Sequence, residues 1–410
     1  MDQSMTRTKH LIELEEKYGA HNYHPIPVVV SRGLGVHVWD VEGWKYLDFL
    51  SAYSAVNQGH CHPRIIKALI DQAEKLTLIS RAFHNSELGE YEKFMCNVFG
   101  YDKILPMNSG AEAVETALKL CRKWGYKKKG IPQNEAIIIF ATGNFHGRTL
   151  AIISGSTEDS SKNDFGPYLP NIEVVEYGNI EALKKVIQNR NVAGFMIEPI
   201  QGEAGIIMPG EAYLKACSEL CKEHNVLFID DEVQTGIGRT GKMLAIDHAG
   251  VKPDILVLGK ALSGGVLPVS AVLANDEIML CIQPGEHGST FGGNPLACAV
   301  AMEAIKVVLD EKLADNANKM GELFRAELNK LSHPLIKEIR GKGLLNAIEI
   351  NDAPESKTAW NLCLKFAENG LLAKPTHGNI IRLAPPLVIK EEEILAAVAI
   401  IDKSLKTFQA

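Results

Sequence analysis

Between residues 103 and 274 the chain alternates short apolar runs with stretches of helical periodicity. The apolar runs are Lys103–Met107, 136–141, 172–177, 194–199, 226–229, Ile255–Leu258 and 269–274. Helical spacing fills gaps between them, for example at 111–124, 180–188 and 212–224. Strands alternating with helices build a mostly parallel sheet packed between helical layers, so the expected class is α/β. A helix over 8–18 and a hairpin-like piece over 36–47 precede this region. A long helical region over 295–331 follows it, then a smaller α+β part that includes 343–350 and Ile380–Leu383. No internal repeat or low-complexity stretch is visible. The chain has 410 residues, 46% of them hydrophobic, which is ample for a large core and for two domains.

Two of the runs end in residues that a buried strand gains little from. Ile255-Leu256-Val257-Leu258-Gly259 leads into Lys260, and Val226-Leu227-Phe228-Ile229 leads into Asp230-Asp231-Glu232. Burying an ammonium is costly unless it is paired or neutral. A neutral lysine is a nucleophile that condenses with carbonyl compounds, pyridoxal phosphate among them. Parallel strands that end in functional groups place them along one edge of the sheet, outside the carboxyl ends. A pyridoxal cofactor needs a lysine for its aldehyde and an acid to hold its ring nitrogen protonated, so that the ring works as an electron sink. Lys260 and an aspartate of the 230–231 pair meet both needs. Each alone has a plain reading, a strand cap or a helix-capping acid.

The segments Leu227-Phe228-Ile229-Asp230-Asp231-Glu232-Val233-Gln234-Thr235-Gly236 and Pro253-Asp254-Ile255-Leu256-Val257-Leu258-Gly259-Lys260 resemble the class III (ω-amino acid) aminotransferases. Further segments resemble the ornithine-transaminating branch of that family: Gly19-Ala20-His21-Asn22-Tyr23-His24-Pro25, Ser54-Ala55-Val56-Asn57-Gln58-Gly59-His60-Cys61-His62-Pro63, Glu198-Pro199-Ile200-Gln201-Gly202-Glu203-Ala204-Gly205 and Leu371-Leu372-Ala373-Lys374-Pro375-Thr376-His377-Gly378. The likeness runs from about Lys17 to the C-terminus. It implies a fold-type-I pyridoxal-phosphate aminotransferase: a large domain with a mostly parallel seven-stranded sheet, and a smaller α+β domain. On this expectation residues 1–50 contribute to the small domain, 51–294 form the cofactor-binding domain, and 295–410 complete the small domain.

The resemblance also implies roles. Lys260 would hold the aldehyde and then shuttle the proton, and Asp231 would pair with the pyridinium. Ser109 and Glu112 have capping-box spacing at a helix start, a ready anion site; in the family Ser109, Gly110 and Ala111 would cradle the phosphate. Ser289 and Thr290 would add a second phosphate contact, with Thr290 supplied by a partner subunit, so a homodimer is implied. Phe145 would stack on the pyridine ring, and Gln234 would sit near the phenolic oxygen. The next residue is His146 where relatives carry Trp, and a hydrogen-bonded structural histidine is expected there. Arg148 is the leading carboxylate binder, since a guanidinium grips a carboxylate with two parallel bonds. Arg382 lies in an apolar run and wants an acidic partner or an anionic ligand; Glu203 is the candidate partner. Tyr23 and Tyr53 match residues that shape the ornithine pocket, though either reads equally as packing. The implied reaction moves the δ-amine of ornithine to a 2-oxo acid, with 2-oxoglutarate the expected acceptor, giving glutamate semialdehyde, which cyclises to pyrroline-5-carboxylate. Acetylornithine or 4-aminobutyrate is the alternative substrate.

Other readings are disfavoured. The net charge is −7, and Lys127-Lys128-Lys129, the only basic block, looks like a solvated helix end. Neither nucleic-acid nor membrane-surface binding is expected, and no run approaches a membrane span. Gly236-Ile237-Gly238-Arg239-Thr240-Gly241 spells a dinucleotide pattern. Residues 230–235 separate it from the strand, and no helix opens through its glycines, so it is read as a chance match. The eight cysteines are scattered. Cys217 and Cys221 share a helical face and are expected to be core thiols rather than a metal pair or redox switch. No transit peptide is evident in Met1-Asp2-Gln3-Ser4-Met5-Thr6-Arg7, so a reducing, cytoplasmic setting is expected.

Overall fold

A computed structural model describes residues 6–408; residues 1–5 of the N-terminal stretch lie outside it. Seven strands form one sheet in the spatial order Lys103–Met107, Ser270–Ala274, Ile255–Leu258, Leu227–Asp231, Val192–Ile197, Ile137–Ala141, Ile172–Val175. The five from Ile255–Leu258 to Ile172–Val175 are mutually parallel. Ser270–Ala274 runs against both of its neighbours. Only segment 259–269 joins it to Ile255–Leu258, too short for the crossover that a parallel return needs.

The central strands are buried at every position, as expected for a sheet covered on both faces. Helix Gly110–Trp124 packs on one face with Leu227, Ile229 and Val257. Helices Glu211–Glu223 and Pro295–Asp310 pack on the other with Phe228 and Leu256. Alternation along Leu227–Asp231 therefore sends Asp231 to the side of helix Gly110–Trp124 and Asp230 to the opposite side.

The two ends of the chain meet. Strand Lys45–Asp48 pairs with Leu371–Leu372, and the Ala384 N–H donates to the Phe49 carbonyl at 2.7 Å. A second four-stranded sheet contains Ile336–Lys342, Leu345–Ile350, Ile380–Leu383 and Lys374–Thr376.

One local expectation needs correction. The helical region after Pro295 is two helices, Pro295–Asp310 and Leu313–Leu328, broken where Lys312 adopts φ +50°. Lys127-Lys128-Lys129 do end a helical turn, Gly125–Lys129, with Lys127 and Lys128 exposed, while Lys129 Nζ donates to the carbonyls of Val192 and His224 at 2.7 and 3.1 Å. Residues 336–342 form a strand that the sequence did not announce. Cys217 and Cys221 are buried free thiols, and no metal-binding group of three His, Cys, Asp or Glu side chains exists among the described residues. No helix among the described residues is long and apolar enough to cross a membrane. The Gly236–Gly241 stretch opens no helix. Its Arg239 is fully buried and donates to Asn57 Oδ1 and to the carbonyls of Leu344 and Pro385.

Candidate active site

Lys260 follows strand Ile255–Leu258 and adopts φ +47°, a left-handed conformation that a side chain tolerates only when its surroundings enforce it. It shares a cavity of about 190 Å³ with Gly110, Ala111, Phe145, His146, Glu198, Asp231 and Gln234. An adjoining cavity of about 370 Å³ runs from Lys260 past Asn108, Ser109 and Gly110. Burial, then the charge of Arg382, pushes the Lys260 amine down to about 7, so it is substantially neutral near neutral pH. That is the state in which a lysine attacks a carbonyl.

Asp231 faces Lys260 across the cavity. Its Oδ1 accepts from the Val233 N–H at 3.0 Å, and its Oδ2 is 2.7 Å from His146 Nδ1. Burial alone would lower the His146 imidazole, but bonding to Asp231 outweighs it and the group is raised. His146 is thus the hydrogen-bonded structural histidine that was expected, with a partner that sequence did not reveal. Glu198 directly follows strand Val192–Ile197 and was assigned no role from the sequence. It is buried, accepts the Phe145 N–H at 2.9 Å, and is pushed by burial up to about 8. Its signal was the same as that of Lys260: a charged residue directly after an all-apolar run.

The capping box of helix Gly110–Trp124 is formed. Glu112 Oε2 accepts the Ser109 N–H at 2.8 Å, and the Glu112 N–H donates to Ser109 Oγ at 3.1 Å. The first-turn N–H groups of Gly110 and Ala111 have no intrahelical acceptor and belong to residues lining the cavity. His146 Nε2 and Gln234 Nε2 are buried with no partner among the described residues. A near-neutral lysine, a carboxylate held opposite it, a helix N-terminus and unsatisfied polar atoms in one cavity together fit an aldehyde-bearing pyridine phosphate. Ser289 Oγ accepts from Asn108 Nδ2 at 2.7 Å, which ties it to the second cavity. Thr290 is exposed and lines neither cavity.

The carboxylate binders differ in setting. Arg148 is exposed, its guanidinium 5.7 Å from the Phe145 ring. Arg382 is fully buried, and burial pulls it down to about 10. The expected ion pair between Arg382 and Glu203 is not made: no salt bridge joins them. Arg382 instead donates to Gln234 Oε1 at 2.6 Å and to Ser54 Oγ at 3.1 Å, neutral acceptors that sit closer. Gln234 is therefore engaged by Arg382. Tyr53 is near both side chains, its ring 6.0 Å from Lys260 Nζ and 5.4 Å from Arg382 Cζ. Tyr23 is 70% exposed, yet near enough to contribute to the raised Tyr53 hydroxyl, which burial and then Glu203 push up. Tyr53 and Ser54 stand on a turn, Ser51–Ser54, in which all four residues have φ between +46° and +73°. Left-handed backbone costs a residue with a side chain roughly 1–2 kcal/mol.

Known proteins resemble this chain over nearly its whole length. The class-III aminotransferase family profile matches residues 18–405. The mitochondrial ornithine aminotransferase of Drosophila ananassae is 61% identical over 391 residues, covering 95% of this chain and 90% of that protein. The mitochondrial ornithine aminotransferase of Rattus norvegicus is 57% identical over 407 residues, covering 99% and 92%. Among solved structures, ornithine aminotransferase from Toxoplasma gondii, with partial occupancy of pyridoxal phosphate at its active site, superposes with TM-score 0.96 at 49% identity, covering 98% and 95%. Acetylornithine aminotransferase from Elizabethkingia anophelis superposes with TM-score 0.90 at 61% identity, covering 98% and 100%. This chain belongs to the class-III aminotransferases, enzymes that use pyridoxal phosphate.

Proposed function

We propose that the enzyme transfers the δ-amino group of ornithine to a 2-oxo acid, 2-oxoglutarate on our reading. The cofactor, when bound, supplies an electron sink that stabilises charge on the substrate carbon. The Gly110 and Ala111 N–H groups, with Ser109 and Ser289, would hold its phosphate, and the Phe145 ring would stack on its pyridine. Asp231 would pair with the ring nitrogen and keep it protonated. Lys260 Nζ would hold the aldehyde group, and its amine, lowered to about 7, would be the base that takes a proton from the substrate carbon and returns it.

The observation that carries the ornithine reading is the Glu203 carboxylate. It is near enough to raise both Lys260 and Arg382 electrostatically, yet it makes no salt bridge among the described residues. Ornithine must present a δ-carbon that bears no carboxylate, whereas glutamate must present an α-carbon that does. Glu203 beside Arg382 discourages a carboxylate next to the reacting carbon, and so favours the δ-amine. For glutamate, Glu203 moves aside and Arg382 exchanges its bonds to Gln234 and Ser54 for the α-carboxylate. Arg148 anchors the far carboxylate of either substrate, and Tyr23 and Tyr53 flank the carbon chain.

A second reading, N-acetylornithine as donor, is favoured by the name of the Elizabethkingia relative. The test is the half-reaction of cofactor-loaded enzyme with ornithine, N-acetylornithine and 4-aminobutyrate in parallel, followed by absorbance. Ornithine should react fastest; a faster N-acetylornithine reaction selects the second reading. We further propose a homodimer, with exposed Thr290 completing the partner's site. We also propose a reducing, cytoplasmic setting, supported by eight cysteines that form no disulfide.

A further inference from the structure

Ser51-Ala52-Tyr53-Ser54 carries four consecutive non-glycine residues at φ +51°, +46°, +57° and +73°. L-residues avoid such a run, and it persists only where neighbouring structure over-determines it. The restraint comes from both flanks. Before the turn, Asp48 Oδ1 accepts the Leu50 and Ser51 N–H groups at 2.8 and 3.0 Å. Asp48 Oδ2 lies 2.7 Å from His60 Nε2. The His60 backbone exchanges hydrogen bonds with Gly35 at 2.8 and 3.0 Å, which anchors the histidine to the rest of the fold.

After the turn, two buried amides fasten the chain to the site's own loops. Asn57 Nδ2 donates to the Ile237 carbonyl at 2.9 Å, three residues past Gln234. Gln58 Nε2 donates at 2.9 Å to the carbonyl of Ala261, the residue after Lys260. The turn is thus stretched between fixed points, with Asp48 and His60 closing its leading side.

We propose that Asp48 and His60 are positioning residues that clamp the left-handed turn, fix Tyr53 and Ser54 against Arg382, and so set how firmly the substrate's carbon chain and carboxylate are held. This rests on the reading that Tyr53 and Arg382 face the substrate. Neither Asp48 nor His60 lines the cavity around Lys260, so the clamp acts on substrate binding and not on the reacting atoms.

Ala52 gives the sharpest test. It is exposed, so Ala52→Gly changes little but backbone preference, and glycine enters the left-handed region freely. Asp48→Ala should raise KM for ornithine about tenfold while kcat stays within about threefold, misplacement of a positioning group having effects of this order or larger. The dissociation constant of glutarate from the loaded enzyme, measured by calorimetry, should weaken in step. Cofactor affinity should be unchanged. Adding Ala52→Gly to Asp48→Ala should recover most of the loss, because the turn no longer has to be forced. Should Asp48→Ala fail to fold, the pair His60→Ala and His60→Gln carries the test. His60→Ala should raise KM, and His60→Gln, which can still donate to Asp48, should restore it. The proposal is overturned if KM and glutarate affinity are unchanged in the clamp variants, if cofactor affinity falls in proportion with KM, or if Ala52→Gly deepens the loss. Wild-type enzyme that binds cofactor but ignores ornithine would instead sink the substrate reading, and glutarate affinity would still report on the clamp.

Discussion

Asp230 and Asp231 are neighbours on one strand and face opposite sides of one sheet. Both are almost wholly buried. Asp231 has a donor or ring nitrogen at each oxygen, from Val233 N–H and His146, and it opens on a cavity shared with Lys260. Asp230 has no partner at either oxygen among the described residues. Burial, then the nearby Glu232 and Asp231, pushes its carboxyl well above the usual range. Glu232, itself pushed up to about 7 by burial, accepts from Thr235 Oγ1 and from the Ile246 N–H. The contrast teaches that burial alone makes a carboxyl neutral and inert. A charge useful for chemistry needs partners built around it, and Asp231 has the Val233 N–H and His146 at its two oxygens.

The largest effect expected on the cavity face comes from Lys260→Ala. Turnover should fall by at least about 10⁴-fold, beyond the usual range of general acid–base catalysis alone. The pH-dependent absorbance of lysine-bound cofactor should vanish with it, while thermal unfolding is little changed. Wild-type turnover in this variant would remove Lys260 from the account. In wild-type protein the uptake of cofactor by the lysine should accelerate as pH rises through about 7, where the amine loses its proton.

Arg148→Ala should come next. Removing a charge-assisted grip worth about 1.5–3 kcal/mol should raise KM for ornithine and glutamate alike by roughly 10- to 150-fold. A selective loss for one substrate would mean that Arg148 is not the common anchor. Glu203→Ala should be milder and directional, improving the glutamate half-reaction relative to ornithine. An unchanged ratio in stopped-flow measurements would dismiss the switch between Glu203 and Arg382.

The smallest effect concerns the core face. A carboxyl whose folded pKa is raised holds its proton more tightly folded than unfolded. Its contribution is intact below the unfolded value, 3.8 for a free aspartate, and is eroded as pH rises above it towards the folded value. Asp230→Asn removes that titration. The melting temperature of the variant should therefore decline less between pH 5 and 9 than that of wild type. Parallel curves would show that Asp230 does not carry the buried proton.

The seven strands were legible because each is a short, nearly uninterrupted apolar run, and their carboxyl ends named Lys260 and Asp231. The strand Ile336–Lys342 was not, because Lys337 and Arg340 are satisfied laterally by Glu349 on the adjacent strand rather than by an apolar face. The left-handed turn at Ser51–Ser54 was illegible because it holds no Gly or Asn to announce positive φ. The contact between His146 and Asp231 joins residues far apart in sequence, which no local pattern encodes. Glu203 was expected to pair with Arg382, and that pair is not formed. What sequence missed was that Gln234 and Ser54 already occupy the guanidinium.

The central claim is that chemistry resides on one face of this strand end, and the paired variants Asp231→Asn and Asp230→Asn test it in a single assay. The measurement is the single-turnover rate of cofactor-loaded enzyme with ornithine. Breaking a buried charge pair costs about 3–5 kcal/mol, so Asp231→Asn should slow the reaction by roughly 10²- to 10⁴-fold. Asp230→Asn should leave it near the wild-type rate. A crippled Asp230→Asn beside a nearly normal Asp231→Asn would contradict the account.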